Sequence, residues 1–301
     1  MPRSNIAPVL FIPHGGGPMP LLDEPPHTDA EHSHAELIAF LQALPASFAK
    51  PSAIVVISAH WEETVPTITG SAQPGLIYDY YGFPPQSYQF KYPAPGAPKL
   101  AARIQTLLQN AGFTAHIDNQ RGIDHGVFVP LMLMYPAADI SLLQLSLIKG
   151  LDGAQHIAMG KALAALRDEN VLILGSGFSF HNLRAFGMGG ADDALNTGFE
   201  RWLEDTLSDP SSSANDKAER LCAWDKAPGG RHCHPREEHL LPLHVCFGAG
   251  LGSQSVGAGS DTDGLRGDNN DGLRIEGLIN GCAIKRFDGR VLGKKTSAWQ
   301  W

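Results

Sequence analysis

A chain of 301 residues, 43% of them apolar, carries enough apolar surface for a large core in one domain or two. Its net charge of -8 and pI near 5.9 argue against a nucleic-acid partner, whose affinity comes mainly from Lys and Arg neutralising phosphates; small molecules are the expected partners. No segment approaches the ~20 apolar residues of a membrane span, and the short, proline-bearing stretch from Ile6 runs straight into His14 instead of forming a signal peptide.

In chain order, residues 8–13 (Pro-Val-Leu-Phe-Ile-Pro) read as a buried strand delivering His14 to a Gly-Gly-Gly-Pro sequence. Ser33-His-Ala-Glu36 has the spacing of a capping box and predicts a helix through about Leu44. The β-branched run 53–58 predicts a strand covered on both faces, with His60 at its carboxyl end. Leu100, Ile104, Leu107 and Leu108 recur at helical spacing from Pro98, and Gly112 supplies the stop. A strand over 113–117 leads to Asp124-His125-Gly126, and the apolar run 127–134 is expected to be a buried helix despite Pro130.

Residues 140–147 and 171–174 read as strands, with a helix over 152–169 between them and His181 in the loop after the second. Helices are expected over 194–207 and 217–224, and another from Pro235, a residue favoured in a first turn, carrying His239. The Gly, Ser, Asp and Asn run 252–272 reads as a flexible surface insert, and 273–287 as strands of a terminal hairpin. Alternating strands and helices without a repeat or linker predict one α/β domain over 1–301: a central, mostly parallel sheet flanked by helices.

Of thirteen histidines, His14, His60, His125, His181 and His239 stand in contexts that neither helix nor strand requires. Imidazole is the commonest metal ligand, and open α/β sheets bind ligands beyond the carboxyl ends of their strands. A single His after a strand is usually an ordinary loop residue, so convergence of several carries the expectation of one metal site there. Glu62, Glu63 and Asp124 are candidate acceptors for the outer nitrogens of ligating imidazoles. Trp61 and Tyr78 to Phe83 suit either an aromatic pocket or plain packing. His27, His32 and His34 read as a solvated loop, and His116 and His156 as surface or packing residues. His232-Cys-His234 with Cys246 lacks the paired knuckles of a structural zinc site, and the acids of 261–272 miss the calcium-loop spacing. Cys222, Cys233, Cys246 and Cys282 form no Cys-x-x-Cys pair; free buried thiols and a cytoplasmic location are expected.

Several motifs in order resemble the class III extradiol ring-cleavage dioxygenases of the LigB-like superfamily, and within it the 4,5-DOPA dioxygenase branch. They are His14-Gly-Gly-Gly-Pro18, Ser58-Ala-His-Trp61, Tyr78-Asp-Tyr-Tyr-Gly-Phe-Pro84 with Tyr92-Pro-Ala-Pro-Gly96, and Asp124-His-Gly126 followed by Val129-Pro-Leu131. Phe180-His-Asn-Leu-Arg184 and the run from His234 through Glu238-His239 to His244 complete the pattern. The resemblance spans about Pro8 to Gly250. It implies that His14, His60 and His239 bind the metal and that His125 is the catalytic acid/base. His181 is implied either as a further ligand or as an acid/base behind the ligands, and His234 as a residue that reaches substrate.

The implied reaction is cleavage of a DOPA-like catechol by O2 to a muconic semialdehyde. Fe(II) is the implied working metal, and an all-histidine set also suits Zn(II), which can occupy the site as isolated. A monomer or small homo-oligomer is expected. A zinc-dependent hydrolase and a Memo-like non-catalytic metal-binding scaffold are the competing readings.

Overall fold

Uninterrupted runs of Val, Ile and Leu become strands here because both of their faces are covered. The computed structural model describes residues 6–22, 33–186, 193–252 and 281–301. Its strands are β1 (Val9–Pro13), β2 (Ala53–Glu63), β3 (Thr67–Thr69), β4 (His116–Asp118), β5 (Ser141–Ile148), β6 (Val171–Gly177), β7 (Ile284–Val291) and β8 (Lys294–Gln300). Its helices are α1 (Ala35–Ala43), α2 (Pro98–Asn110), α3 (His125–Met134), α4 (Gly153–Leu163), α5 (Ala194–Leu207), α6 (Ala214–Cys222), α7 (Gly230–Cys233) and α8 (Leu241–Gly250).

The strands form one sheet in the order β4-β3-β5-β2-β6-β1-β8-β7. The centre, β5-β2-β6-β1, is parallel, and antiparallel pairings occur where β3 meets β5 and where β8 joins β1 and β7. Alternate residues point to opposite faces. Val9, Phe11, Val55, Ile57, Ile173 and Leu145 therefore pack among α2, α4, α5 and α8, while Leu10, Ile12, Ile54, Val56, Leu172 and Leu174 pack with residues of α1 and α3. The predicted single α/β architecture with a mostly parallel sheet is the observed one.

Several elements depart from expectation for local reasons. The capping box at Ser33 does not form: the Glu36 carboxylate accepts from the backbone N–H of Arg290 (3.1 Å) across the hairpin, and Ser33 Oγ accepts from Ala35 N–H (3.4 Å). The helix expected over 152–169 tightens to a 3-10 segment from Ala164, closed by Asn170 in the left-handed region at φ 55°. The strand expected over 113–117 is only β4. The helix expected from Pro235 starts instead at Leu241, with Pro242 in its first turn, so His239 sits in the turn before α8 rather than on it. The C-terminal hairpin is real, but it lies at 284–300 rather than within 273–287. Residues 253–272 of the expected insert, residues 273–280, and His27 and His32 lie outside the described residues. No helix among the described residues is long and apolar enough to cross a membrane.

Candidate metal centre

Each candidate histidine reaches the carboxyl edge of the sheet by its own device. His14 follows β1, and the chain turns away at Gly15, whose φ of +88° suits glycine and whose hydrogen stands where a Cβ would strike Pro20 and His34. His60 lies within β2 where its register against β5 shifts between Ile57 and Glu62, an irregularity of the kind that re-aims a side chain. His125 opens α3. His181 follows β6, and His239 is held because its carbonyl accepts from Phe178 N–H (2.9 Å) while the bare Gly177 lets the two segments touch.

These devices bring the imidazoles together. Ring centroids stand 4.9 Å apart for His14 and His60, 5.3 Å for His14 and His239, and 4.9 Å for His60 and His239. His125 lies 4.0 Å from His60 and His181 3.3 Å from His239, centre to centre. Ligand atoms of His14, His60 and His125 fall within 4.8 Å of one another, as do those of His181, Glu238 and His239. The five expected histidines thus form one continuous cluster, in which His125 stands as near to His14 and His60 as a ligand does.

The outer nitrogens fix which way the lone pairs point. Pro130 has no N–H to give the Gly126 carbonyl one turn back in α3, and Ser176 Oγ donates to that carbonyl instead. Having spent its proton, Ser176 Oγ accepts from His14 Nδ1–H (3.0 Å). His239 Nδ1 donates to Glu238 Oε1 (3.0 Å), with His181 Nδ1 3.3 Å from the same oxygen. His125 Nδ1 donates to Asp79 Oδ1 (2.8 Å), which also accepts the His125 backbone N–H (3.0 Å). With Nδ1–H committed at His14, His125 and His239, each Nε2 carries a bare lone pair. His14 Nε2 and His60 Nε2 face each other at 3.1 Å.

Protons do not fill this gap well. Burial, reinforced by the neighbouring imidazoles, pushes His14 and His60 well below the ordinary imidazole value and His239 down to about 3. Burial alone would raise the Glu238 carboxyl, but hydrogen bonds from His181 and His239 outweigh it and hold the group ionised. The same balance lowers Asp79, where His125 supplies the opposing bonds. Neutral nitrogen donors around a shared gap, backed by anionic acceptors, are the chemistry of a bound divalent cation. The residues fit a metal.

Asp79 and Ser176 were not anticipated from sequence, and Glu238 only as a neighbour of His239. Asp79 lies within the Tyr78-Asp-Tyr-Tyr motif, where an acid among aromatic residues was the available signal. The acceptors expected at Glu62, Glu63 and Asp124 are corrected. Glu62 takes the Arg236 fork (2.6 and 2.7 Å), Glu63 takes the Trp61 indole N–H (3.0 Å), and Asp124 takes Ser58 Oγ (2.7 Å) and Gln144.

His234 is corrected too. Its ring is wholly buried, 5.4 Å from Phe199 and 5.9 Å from Trp224, with Nε2 3.0 Å from the Ser179 carbonyl. That bond braces the segment after β6, and the buried Nδ1 has no partner among the described residues. Trp61 is packing, buried beneath the Arg121 guanidinium. Tyr80 does wall the site, its ring 5.8 Å from that of His125 and backed by Phe83 and Tyr88. A cleft of about 390 Å³, lined by His181, Asn182, Leu183, Arg184, Arg236 and Glu238, opens beside the cluster.

A mostly parallel α/β sheet whose carboxyl edge gathers five imidazoles able to hold a metal ion is the architecture of a candidate metal-dependent enzyme. Residues 8–265 match the family described as the catalytic LigB subunit of aromatic ring-opening dioxygenase, and the chain belongs to that family. It is 44% identical over 251 residues to the 4,5-DOPA dioxygenase extradiol of Beta vulgaris, covering 82% of this chain and 88% of that one. Dioxygenase tasH of Hapsidospora irregularis is 42% identical over 265 residues, 84% of this chain and 81% of its own. The crystal structure of an uncharacterized protein, JW3007, of Escherichia coli K12 matches with a TM-score of 0.68 at 28% identity, over 98% of this chain and 99% of that one. The protein is an extradiol ring-cleavage dioxygenase, acting on an aromatic ring with O2.

Proposed function

We propose that the protein is an Fe(II)-dependent dioxygenase that opens a DOPA-like catechol to a muconic semialdehyde. His14, His60 and His239 hold the metal, His181 serves as a further ligand, and His125 is the catalytic acid/base. The observation that carries this reading is the commitment of Nδ1–H at His14, His125 and His239 to Ser176, Asp79 and Glu238, which turns the Nε2 lone pairs toward one another. Bound there, Fe(II) would bring the diol and O2 together and pass electrons between them.

The remaining work falls to the side chains. His125 Nε2 accepts a catechol hydroxyl proton, and Asp79 holds the opposite nitrogen and stabilises the imidazolium that results. The same imidazolium returns the proton as the ring opens. Tyr80 supplies an apolar wall beside His125. The nitrogen donor set also accepts Zn(II), so purified protein can carry zinc without zinc being the working ion. The cytoplasm is the proposed place of action, as a monomer or small homo-oligomer.

The test is oxygen uptake and the appearance of a yellow ring-opened product when catechols meet iron-loaded protein. His125→Ala should lower kcat by about 10²–10⁴-fold with metal content intact, whereas His239→Ala should lose the metal. Iron-loaded protein that consumes no oxygen with any catechol overturns the reading. Loss of metal from His125→Ala would make His125 a ligand instead.

A further inference from the structure

Lys217, on α6, is 0% exposed, a rare state for a lysine, and the Asp209 carboxylate is close enough to feel its charge. Among the described residues its Nζ meets one side-chain acceptor, Cys282 Sγ, at 2.8 Å. That separation is shorter than the about 2.9–3.0 Å usual for N–H···O bonds, although sulfur is a larger atom than oxygen. The thiol hydrogen has its own acceptor, the Asp209 carbonyl at 3.4 Å from Sγ, so a sulfur lone pair faces the nitrogen.

Both partners are fixed from outside the contact. Lys217 belongs to a helix with a complete capping box at Ser213 and Asp216. Cys282 lies between Gly281, whose carbonyl accepts from Trp301 Nε1–H (3.0 Å), and Ala283, whose N–H donates to the Leu207 carbonyl (2.9 Å). Cys233 and Cys246 are wholly enclosed and Cys222 is exposed; no lysine bond is seen at any of the three. Cys282 is half-buried, unlike either the enclosed pair or the exposed Cys222.

We infer that Lys217 and Cys282 are the two ends of an oxidative covalent cross-link in which one oxygen atom bridges Nζ and Sγ. The co-reactant is O2, which the dioxygenase activity already requires. An ammonium at Lys217 must first release a proton; the resulting amine and the thiol then each lose one hydrogen, an N–O and an O–S bond form, and the second oxygen atom leaves with both hydrogens as water. Nitrogen and sulfur are each oxidised by two electrons, and O2 is reduced by four. The bridge joins α6 to the segment that leads into β7 and includes no residue of the imidazole cluster, so it is a modification site separate from the ring-cleaving chemistry.

The experiment is peptide mass mapping of the full-length protein purified in air without reductant, with and without later dithiothreitol. The expected result is one cross-linked species containing the Lys217 and Cys282 peptides. Its mass should exceed their sum by one oxygen and fall short by two hydrogens, trypsin should not cut after Lys217, and dithiothreitol should release both peptides. Cys282→Ser, a conservative change at a half-buried position, should abolish the species. Recovery of separate peptides after exposure to air and hydrogen peroxide, or a Cys282 carrying only its own sulfinic or sulfonic acid, would overturn the inference. So would a joined pair lacking the oxygen.

Discussion

At the scale of single residues, the imidazole cluster is oriented by acceptors placed behind its rings. Glu238 holds the outer nitrogens of His239 and His181 through one oxygen. Glu238→Gln removes the charge while keeping the shape, and outer-shell partners of this kind typically carry 10–100-fold in affinity. A chelator competition titration should therefore show zinc bound roughly 10–100-fold more weakly; unchanged affinity would show that the imidazoles orient themselves. Asp79 plays a different part, because its histidine is the proposed proton carrier. Asp79→Asn should lower kcat by about 10²–10⁴-fold with KM and metal content nearly unchanged, and a metal assay beside steady-state kinetics separates the two roles.

The histidines were legible in the sequence because strand ends and glycine contexts single them out. Their acceptors were not. That His60 Nδ1 lies 3.9 Å from Asp79 Oδ2, while Glu62 turns to Arg236, depends on a register shift in β2 and on how a distant loop folds back, and neither leaves a local pattern. His234 misled because a motif position says nothing about which face of a turn becomes buried.

At the scale of elements, glycines separate two kinds of helix contact. Gly160 in α4 lies so close to α8 that a Cβ would overlap the Val245 carbonyl and sit 2.9 Å from Ala249 N. Alanine gains about 1 kcal/mol of helix propensity, but forcing two backbones apart costs about 1–3 kcal/mol, so Gly160→Ala should lower the urea midpoint. Gly198 in α5 is the contrast, since a Cβ there meets Pro228 at 3.4 Å, an ordinary contact. Gly198→Ala should leave stability unchanged or raise it by up to about 1 kcal/mol. Equal destabilisation by both substitutions would refute the packing account. Helices with clear apolar spacing, such as α2, and the doubly covered strands were readable from sequence. The start of α8 was not, because Pro235 and Pro242 offer the same first-turn preference, and the long-range bond from Phe178 N–H to the His239 carbonyl leaves no mark in the sequence.

At the scale of the whole molecule, stability should track pH through buried imidazoles remote from the metal centre. His156 donates Nδ1–H to the Asp152 carbonyl (2.6 Å) and accepts the Ile148 N–H at Nε2 (3.1 Å), a pairing open only to the neutral ring. Burial accordingly pushes it down to about 4. The unfolded chain takes its proton near ~6.5, so the contribution is complete above that value and is lost as pH falls toward about 4, where the folded ring protonates as well. One proton taken up on unfolding corresponds to about 1.4 kcal/mol per pH unit. Urea titrations between those limits should show His156→Gln with a shallower pH dependence by about that amount, and parallel curves would sink the account. The α/β class was legible at this scale from the alternation of elements. The placing of β8 beside β1, and the reversed β3, were not, since no sequence pattern states which strands become neighbours.

That placing of β8 has a consequence for how the protein is made. Val9 and Trp301 exchange backbone hydrogen bonds (3.1 and 3.0 Å), and β1 has β6 on its other side. The ribosome delivers the strand that carries His14 long before either neighbour exists, and pairings so distant along the chain form slowly. Until then β1 is an apolar ribbon with two open edges and His14 at its tip. On the proposed ligand set metal insertion is then expected to be a late event, and nascent protein should depend on chaperones for as long as that ribbon waits.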